Sequence, residues 1–368
     1  MANKRRFTAV LVALATVAAL AGCGVKEVEA TGAANLDNPP IVPVTAAEAR
    51  TVDLVSEYEL PPADPDSWDP RHFEGVGEPG GYDPSDIGQA PNDEATGLFA
   101  LPTDGGAIGS NEGVGLGDSS RGDPMPTGGL KDSTTGRIYM MFLDALGDPQ
   151  YYVCSGTVIT SAAHDLIATA GHCVWDTSGL GFVAELYFVP GDVNDSETQP
   201  YGRWSAVNVF VPTEFTEDAF STATGLAGEG WAYDYAFVRL APNDAGQKIQ
   251  DVTGGQGIAF GIPAETLVAI GYPAGEPFDG RSERYCASSD WRRYAMGGYQ
   301  IDCVMTGGSS GGGWFTRWDP DRGAGYLVGV TSTGTDTTLN ANALGRTAYE
   351  LFDQAGGVAE GLFEGGGA

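Results

Sequence analysis

Basic side chains are scarce in this sequence. It holds 19 Lys and Arg against 49 Asp and Glu, which gives a formal net charge of −30. A protein that binds nucleic acid neutralises phosphates with clustered Lys and Arg side chains. This balance therefore excludes nucleic acid as a partner.

Long apolar runs are also missing. The N-terminal run at 7–20 follows a basic start and spans about 14 residues, whereas a transmembrane helix needs roughly 20. It is therefore predicted to be an export signal. Its end, Leu20-Ala21-Gly22-Cys23, resembles the bacterial lipobox. That resemblance implies lipidation of Cys23 and a mature protein tethered, through the lipid alone, to the outer face of a bacterial cytoplasmic membrane or to the cell surface, unless it is released. A plain secretory signal is the alternative.

Cysteine is rare, with five residues in the chain. One, Cys23, lies at the end of the export signal, and the other four lie in residues 131–368. Export places the chain in an oxidising compartment, where disulfides persist. With Cys23 assigned to the lipid, four cysteines remain, and these permit three pairings. Pairing of sequence neighbours is the simplest prediction, and each bridge would close a loop worth about 3 kcal/mol. These pairs are Cys154 with Cys173 and Cys286 with Cys303.

Residues 24–130 lack hydrophobic periodicity and are acidic and rich in Pro and Gly. Such a segment buries too little apolar surface to offset the ordering of its backbone. We predict a mostly disordered tether or pro-region here, between the signal at 1–23 and a folded domain at 131–368.

Helix signals are few in residues 131–368, where short β-rich runs recur between Gly, Pro, Asn or Asp. Strand-like segments at this spacing predict an all-β domain of barrels or a sandwich. One C-terminal helix is predicted at 346–354. The runs lie at 137–143, 150–159, 166–169, 184–189, 204–211, 235–240, 267–271, 299–304, 313–317 and 325–333.

Histidine occurs only three times. His72 lies in the acidic region, and His164 lies in a polar turn where a solvated loop residue is expected. His172 differs, because it follows a strand-like run within Thr169-Ala170-Gly171-His172-Cys173. A lone histidine at a strand end is usually structural, so its role depends on the other motifs.

A glycine-rich stretch lies between Val304-Met305 and Trp314-Phe315. It reads Gly307-Gly308-Ser309-Ser310-Gly311-Gly312-Gly313. Glycine permits positive φ and close approach of the backbone to another group. A flexible spacer would continue in Ser and Gly, whereas these apolar flanks indicate buried strand ends. We therefore predict a tight turn that exposes one serine.

Three motifs occur in an order that resembles the chymotrypsin-like serine peptidases. They are TAGHC with His172, YDYAFVRL with Asp234 and GGSSGG with Ser310, and CSGTVI and LVGVTSTG match flanking family strands. The resemblance covers residues 131–368 and implies two six-stranded antiparallel β-barrels of chymotrypsin type with a C-terminal helix. It further implies a serine endopeptidase that acts on polypeptides without a metal or organic cofactor, and we expect a monomer.

Each residue type has a chemical role in such a site. A serine hydroxyl is a weak nucleophile at neutral pH and needs a base within hydrogen-bond reach. The resemblance implies that Ser310 is the nucleophile, His172 its base and Asp234 the acid that fixes the imidazole tautomer. Ser310 is preferred to Ser309 because it alone fits Gly-x-Ser-Gly-Gly. The backbone N–H groups of Gly308 and Ser310 would form the oxyanion hole.

The sequence departs from the family at Ser309, where many members carry an Asp that pairs with a newly cut N-terminus. That activation route lacks its carboxylate here. Ser332, Thr333 and Gly334 are expected to bind an extended substrate. Val304 offers no carboxylate for Arg or Lys, which indicates a P1 pocket for uncharged side chains. The alternative is a pocket reached by an acid such as Asp302.

Two other classes of protein deserve comparison. A catalytically silent surface binding protein could use the same scaffold, but such proteins usually lose one triad residue, and this chain keeps all three. An α/β-hydrolase esterase also uses Gly-x-Ser-x-Gly, but its acid and histidine follow the serine. Here both precede it.

Overall fold

The computed structural model describes residues 55–63, 69–73, 97–106, 113–177, 181–193, 199–218, 229–294 and 297–358. Within these ranges the chain is mostly β-strand with short helices. No helix in the described ranges combines the length and the apolar character needed to span a bilayer. The predicted signal at 1–23 and its Cys23 lie outside the described residues.

The strands are numbered in chain order as β1 (Val55–Glu59), β2 (Leu98–Ala100), β3 (Thr103–Asp104), β4 (Ser119–Pro124), β5 (Thr135–Leu143), β6 (Pro149–Val158), β7 (Leu166–Thr169), β8 (Trp175–Asp176), β9 (Gly181–Phe182), β10 (Glu185–Pro190), β11 (Trp204–Pro212), β12 (Ala236–Leu240), β13 (Gly254–Gly255), β14 (Gly257–Phe260), β15 (Leu267–Gly271), β16 (Arg284–Ser288), β17 (Arg292–Arg293), β18 (Tyr299–Asp302), β19 (Gly313–Asp319), β20 (Ala324–Gly334) and β21 (Thr338–Ala343). The helices are α1 (Lys131–Thr134), α2 (Thr213–Asp218), α3 (Ile249–Thr253) and α4 (Arg346–Gln354), with 3₁₀ turns at Pro70–Phe73, Gly171–Cys173 and Glu229–Tyr233.

Six strands close into the first barrel. Antiparallel pairing runs from β5 through β6, β7, β12, β11 and β10 and returns to β5. Alternate residues of β5, namely Ile138, Met140 and Phe142, are buried in its core, because successive side chains of a strand point to opposite faces. Closure removes free strand edges, so the loops at the barrel ends start from rigid strands.

The second barrel follows the antiparallel path β18, β21, β20, β19, β15 and β16. Cys286 in β16 is bonded to Cys303 immediately after β18, so a disulfide joins the two end strands of the path. The bridge packs in a core that includes Trp314 and Ile301. The predicted fold class, two six-stranded antiparallel barrels, is confirmed.

Both predicted disulfides are confirmed. Cys154 in β6 pairs with Cys173 in the turn that contains His172, and their Cα atoms lie 6.3 Å apart. Cys286 and Cys303 have Cα atoms 5.9 Å apart. Neighbours in sequence meet because the intervening chain folds back as strands of one barrel.

Four described stretches of residues 24–130 pack on the barrels. Strand β1 pairs with β11, β2 with β14 and β4 with β16. In the fourth stretch, the ring centroid of Phe73 lies 4.9 Å from that of Tyr139 in β5. The expectation of disorder does not hold for these stretches. Backbone hydrogen bonds to existing strands supply order that the weak hydrophobic pattern of these short segments does not indicate.

Helix α4 occupies the predicted residues 346–354 and packs against both barrels. Its Phe352 lies 5.5 Å from Phe237 of β12 and 5.3 Å from Phe260 of β14, measured between ring centroids. The helix therefore covers the apolar junction where the two barrels meet.

A buried cluster of charges links α1 to the loop before β16. The Nζ of Lys131 lies 2.7 Å from Oε2 of Glu283 and 2.5 Å from Oδ1 of Asp132, and the Lys131 side chain is 4% exposed. Burial opposes its charge, but the carboxylates of Glu283 and Asp132 outweigh burial and raise the pKa of Lys131 above its ordinary 10.5. The ammonium therefore stabilises the fold fully at neutral pH, and this contribution is lost only as the pH rises through the folded-state pKa.

We expect Lys131→Met to lower the free energy of unfolding by about 3 kcal/mol, because two largely buried carboxylates, 16% and 12% exposed, lose their cation. Urea denaturation at pH 7 measures the loss. As a control, Arg322→Gln removes the exposed pair with Asp104 and should change the free energy by less than about 1 kcal/mol. Equal effects of the two substitutions would contradict the assignment of a buried cluster.

Candidate active site

His172 and Asp234 leave neighbouring strands at the same end of the first barrel. Strands β7 and β12 pair antiparallel with Thr169 opposite Ala236, so the turn after β7 meets the segment before β12. His172 lies in that turn, and Asp234 precedes β12 by two residues. Their side chains are 5% and 0% exposed.

Asp234 accepts three hydrogen bonds. Its Oδ2 accepts one from Nδ1 of His172 at 2.8 Å and one from Oγ of Ser332 at 2.5 Å. Its Oδ1 accepts the backbone N–H of His172 at 2.8 Å. An ionised carboxylate can only accept, so the proton of the neutral imidazole lies on Nδ1. The Nε2 atom of His172 is thereby left with the lone pair that a base needs.

Apolar rings enclose the buried side of this pair. A Cβ on Gly171 would lie 2.9 Å from the ring of Phe215 and 3.1 Å from Oδ1 of Asp234, so the position before His172 has room only for glycine. The Trp231 ring lies 5.8 Å from the imidazole, measured between ring centroids. Low polarity around the pair strengthens its hydrogen bonds.

Strand β6 anchors both the Ser310 turn and the His172 turn. The N–H of Ser155 donates to the carbonyl of Ser310 at 2.7 Å. The preceding residue, Cys154, is bonded to Cys173, which follows His172. Ser310 thus belongs to the second barrel in sequence but is held against the first, next to the strand that holds His172.

Two residues of the Ser310 turn have the positive φ that favours glycine, 93° at Gly308 and 75° at Gly311. A Cβ at Gly308 would lie 2.7 Å from the carbonyl oxygen of Tyr272, and one at Gly311 would lie 2.5 Å from that of Ser155. No side chain fits at either position. The glycine-rich stretch is therefore a tight turn between strands, as predicted. The expectation that it exposes one serine is wrong, because Ser309 and Ser310 are each only 2% exposed where the turn packs against the first barrel.

The peptide groups of this turn are held in fixed directions. The carbonyl of Gly307 accepts the N–H of Ala274 at 2.6 Å, and the N–H of Gly308 points the opposite way because the peptide is trans. In the part of the chain that the structure describes, the Gly308 N–H donates to no group. This N–H is available to an acceptor atom of a bound molecule.

Ser155 has no role predicted from the sequence, although the CSGTVI motif contains it. Its Oγ donates to the carbonyl of Gly308 at 2.8 Å and accepts the N–H of Tyr272 at 2.9 Å.

The side chain of Ser309 donates to the carbonyl of Thr306 at 2.6 Å. An uncharged hydroxyl thus closes the turn where the family often carries Asp.

The strand predicted to bind substrate, at Ser332 to Gly334, also contacts Asp234. Ser332 bonds to Asp234, Thr333 is buried at 8% exposure, and Gly334 is exposed at the end of β20. The role of Ser332 toward Asp234 is not apparent from the sequence, because its partner lies in the other barrel.

One group of metal-binding residue types occurs among the described residues, namely Cys154, His172 and Cys173. Both of its sulfur atoms belong to one disulfide. Metal binding by cysteine requires a thiolate, and the two cysteines of this group form a structural bridge instead.

Comparison with known proteins adds independent findings. Residues 154–330 match the family described as trypsin-like peptidase domain. The crystal structure of protease Anisep from Arthrobacter nicotinovorans is 30% identical, with the match covering 61% of this chain and 95% of that chain at a TM-score of 0.52. The thermostable serine protease AL20 from an extremophilic microorganism is 27% identical, covering 62% and 98% at a TM-score of 0.50. No curated protein sequence matches this chain. From the matched domain and these two structures we conclude that the chain belongs to the trypsin-like serine peptidases.

Proposed function

We propose that this protein is a serine endopeptidase with the triad His172, Asp234 and Ser310. The observation that carries the proposal is the buried pair in which Asp234 holds both Nδ1 and the backbone N–H of His172. Such a pair orients one imidazole nitrogen toward a nucleophile and stabilises the imidazolium that forms during attack.

In the proposed reaction the Oγ of Ser310 attacks the carbonyl carbon of the scissile peptide, and its proton passes to Nε2 of His172. The N–H groups of Gly308 and Ser310 donate to the oxyanion of the tetrahedral intermediate. The C–N bond then breaks, and the leaving amine takes the proton from His172. Water, activated by the same imidazole, releases the acyl group from Ser310.

The substrate is proposed to be an extended polypeptide that lies along Ser332, Thr333 and Gly334. An uncharged P1 side chain is favoured by the surroundings of the pocket strand. Asp302, an acid near the expected pocket, is bonded to Arg292 at 2.6 Å and is 68% exposed. Its charge is thus already engaged at the surface, and Val304 carries none.

We propose an exported monomer, tethered through lipid on Cys23 at the outer face of a bacterial membrane or released from it. The two disulfides support an oxidising compartment, because cytosolic thiols are kept reduced. Cys23 lies outside the described residues. The domain boundary at residue 131 likewise stays a prediction.

Labelling of the full-length protein with a fluorophosphonate tests the proposal. We expect the disulfide-intact protein to be labelled, and mass spectrometry of its peptides to place the adduct on Ser310 and not on Ser309. Heat-denatured protein is the control, since only an assembled triad activates the hydroxyl. A folded protein that neither reacts with the probe nor cleaves casein would contradict the proposal.

A further inference from the structure

Strand β20 contains a β-bulge within the predicted substrate strand. In its pairing with β21, Thr331 lies opposite Ala341 and Thr333 lies opposite Asn340, so Ser332 is an extra residue. A bulge interrupts the hydrogen-bond ladder and redirects side chains. The side chains of Ser332 and Thr333 consequently bond in different directions, and that of Ser332 bonds to Asp234.

Thr333 bonds to two buried side chains, one in β21 and one directly after β17. Its Oγ1 accepts from Nδ2 of Asn340 at 3.1 Å and lies 3.2 Å from the hydroxyl oxygen of Tyr294. Asn340 is fully buried, and Tyr294 is 7% exposed. These bonds hold the residue that follows the bulge.

The Asn340 amide is itself fixed from the outside of the barrel. Its Oδ1 accepts from Nε2 of Gln300 at 2.8 Å, and Oε1 of Gln300 accepts from Nε of Arg292 at 3.1 Å. Each member has a defined partner, and a satisfied polar network of this kind rigidifies its surroundings. The network runs from the substrate strand to the surface.

We infer that Asn340 and Tyr294 are positioning residues that act through Thr333 to align the backbone of Ser332 and Gly334 with an extended substrate. The inference rests on the proposed function. It assigns the network to binding of the residues before P1, because those residues would pair with β20. The chemical step at Ser310 uses other groups and should depend little on this network.

The test compares two thiobenzyl esters with the same P1 residue, chosen as the one the wild type cleaves best in a peptide library. One ester carries P1 alone and the other carries P4 to P1. We expect Thr333→Val to lower kcat/KM for the long ester by about tenfold, mainly through KM, since the bonds to Asn340 and Tyr294 are lost. For Tyr294→Phe, which lies outside the substrate strand, kcat/KM for the short ester should change by less than about twofold.

Three further variants make the result specific. Thr333→Ser keeps the hydroxyl, so its kcat/KM for the long ester should be near the wild-type value. Tyr294→Phe removes one hydrogen bond and should lower kcat/KM for the long ester by about threefold. This variant tests the inference even if Thr333→Val fails to fold. Thr316→Val is the matched control, because Thr316 is also buried in this barrel but bonds to the backbone of Glu265, and it should affect neither ester.

Equal losses on both esters, or an unchanged long ester in folded Thr333→Val and Tyr294→Phe, would overturn the inference. A wild type that hydrolyses neither ester would instead contradict the proposed function. The two failures are therefore distinguishable.

Discussion

Ser310→Ala is expected to lower kcat for peptide hydrolysis by about 10⁶-fold while leaving the fold intact. The methyl group removes the nucleophile, and His172 has no hydroxyl proton to accept. The remaining rate should still exceed that in water by about 10³-fold, because the N–H groups of the turn and the substrate strand are unchanged. Steady-state assays with a chromogenic peptide measure the loss, and near-ultraviolet circular dichroism checks the fold.

Ser309→Ala is the matched control for this experiment. Its hydroxyl donates to the carbonyl of Thr306, so the substitution loosens the turn but keeps the nucleophile. We expect its kcat to stay within about tenfold of the wild type, as for the loss of one neutral hydrogen bond. A large loss for Ser309→Ala with a small one for Ser310→Ala would move the nucleophile to the neighbouring serine.

Asp234→Asn is expected to lower kcat by about 10⁴-fold. An amide NH₂ in place of Oδ2 donates to Nδ1 of His172, which favours the tautomer with its proton on Nε2. That tautomer cannot accept the proton of Ser310. The amide also removes a negative charge that stabilises the imidazolium, and it leaves the hydroxyl of Ser332 or the N–H of His172 without an acceptor.

Asp165→Asn provides the comparison for a buried acid outside the site. Asp165 is 6% exposed and pairs with Arg239 at 3.2 Å and Lys248 at 3.4 Å. Its substitution should lower stability but leave kcat within about threefold. If both Asp variants lost the same activity in proportion to unfolding, Asp234 would have a structural role only.

The candidate site can be proposed from the sequence because one of the residue types it needs, histidine, is rare in this chain. With three histidines in the chain, the motif around His172 was informative, and the motifs with Asp234 and Ser310 followed in the order of the family. The contact between Ser155 and Gly308 could not be located this way. It joins a hydroxyl to a backbone carbonyl 153 residues away, and serine is common in strands without such a role.

Some elements of the fold can likewise be predicted from the sequence, and others cannot. Helix α4 has the bounds that the sequence predicts. The sequence pattern does not predict the strands before residue 131, because short segments that pair with an existing sheet need little hydrophobic pattern of their own. In β4, Arg121-Gly122-Asp123 lies beside β16 although it contains no apolar side chain.

The pairing of the four cysteines that follow Cys23 is one of three possibilities in the sequence and is decided by the fold. From its residues alone, this chain is predicted to form short strands and to carry the side chains of acyl transfer in the family's order. Those properties reside in local composition and covalent chemistry. The wrapping of the segments before residue 131 around the barrels and the bonding of Ser332 to Asp234 arose from folding. Backbone pairing and contacts between barrels depend on where strands meet in space, and local residue patterns carry little information about those meetings.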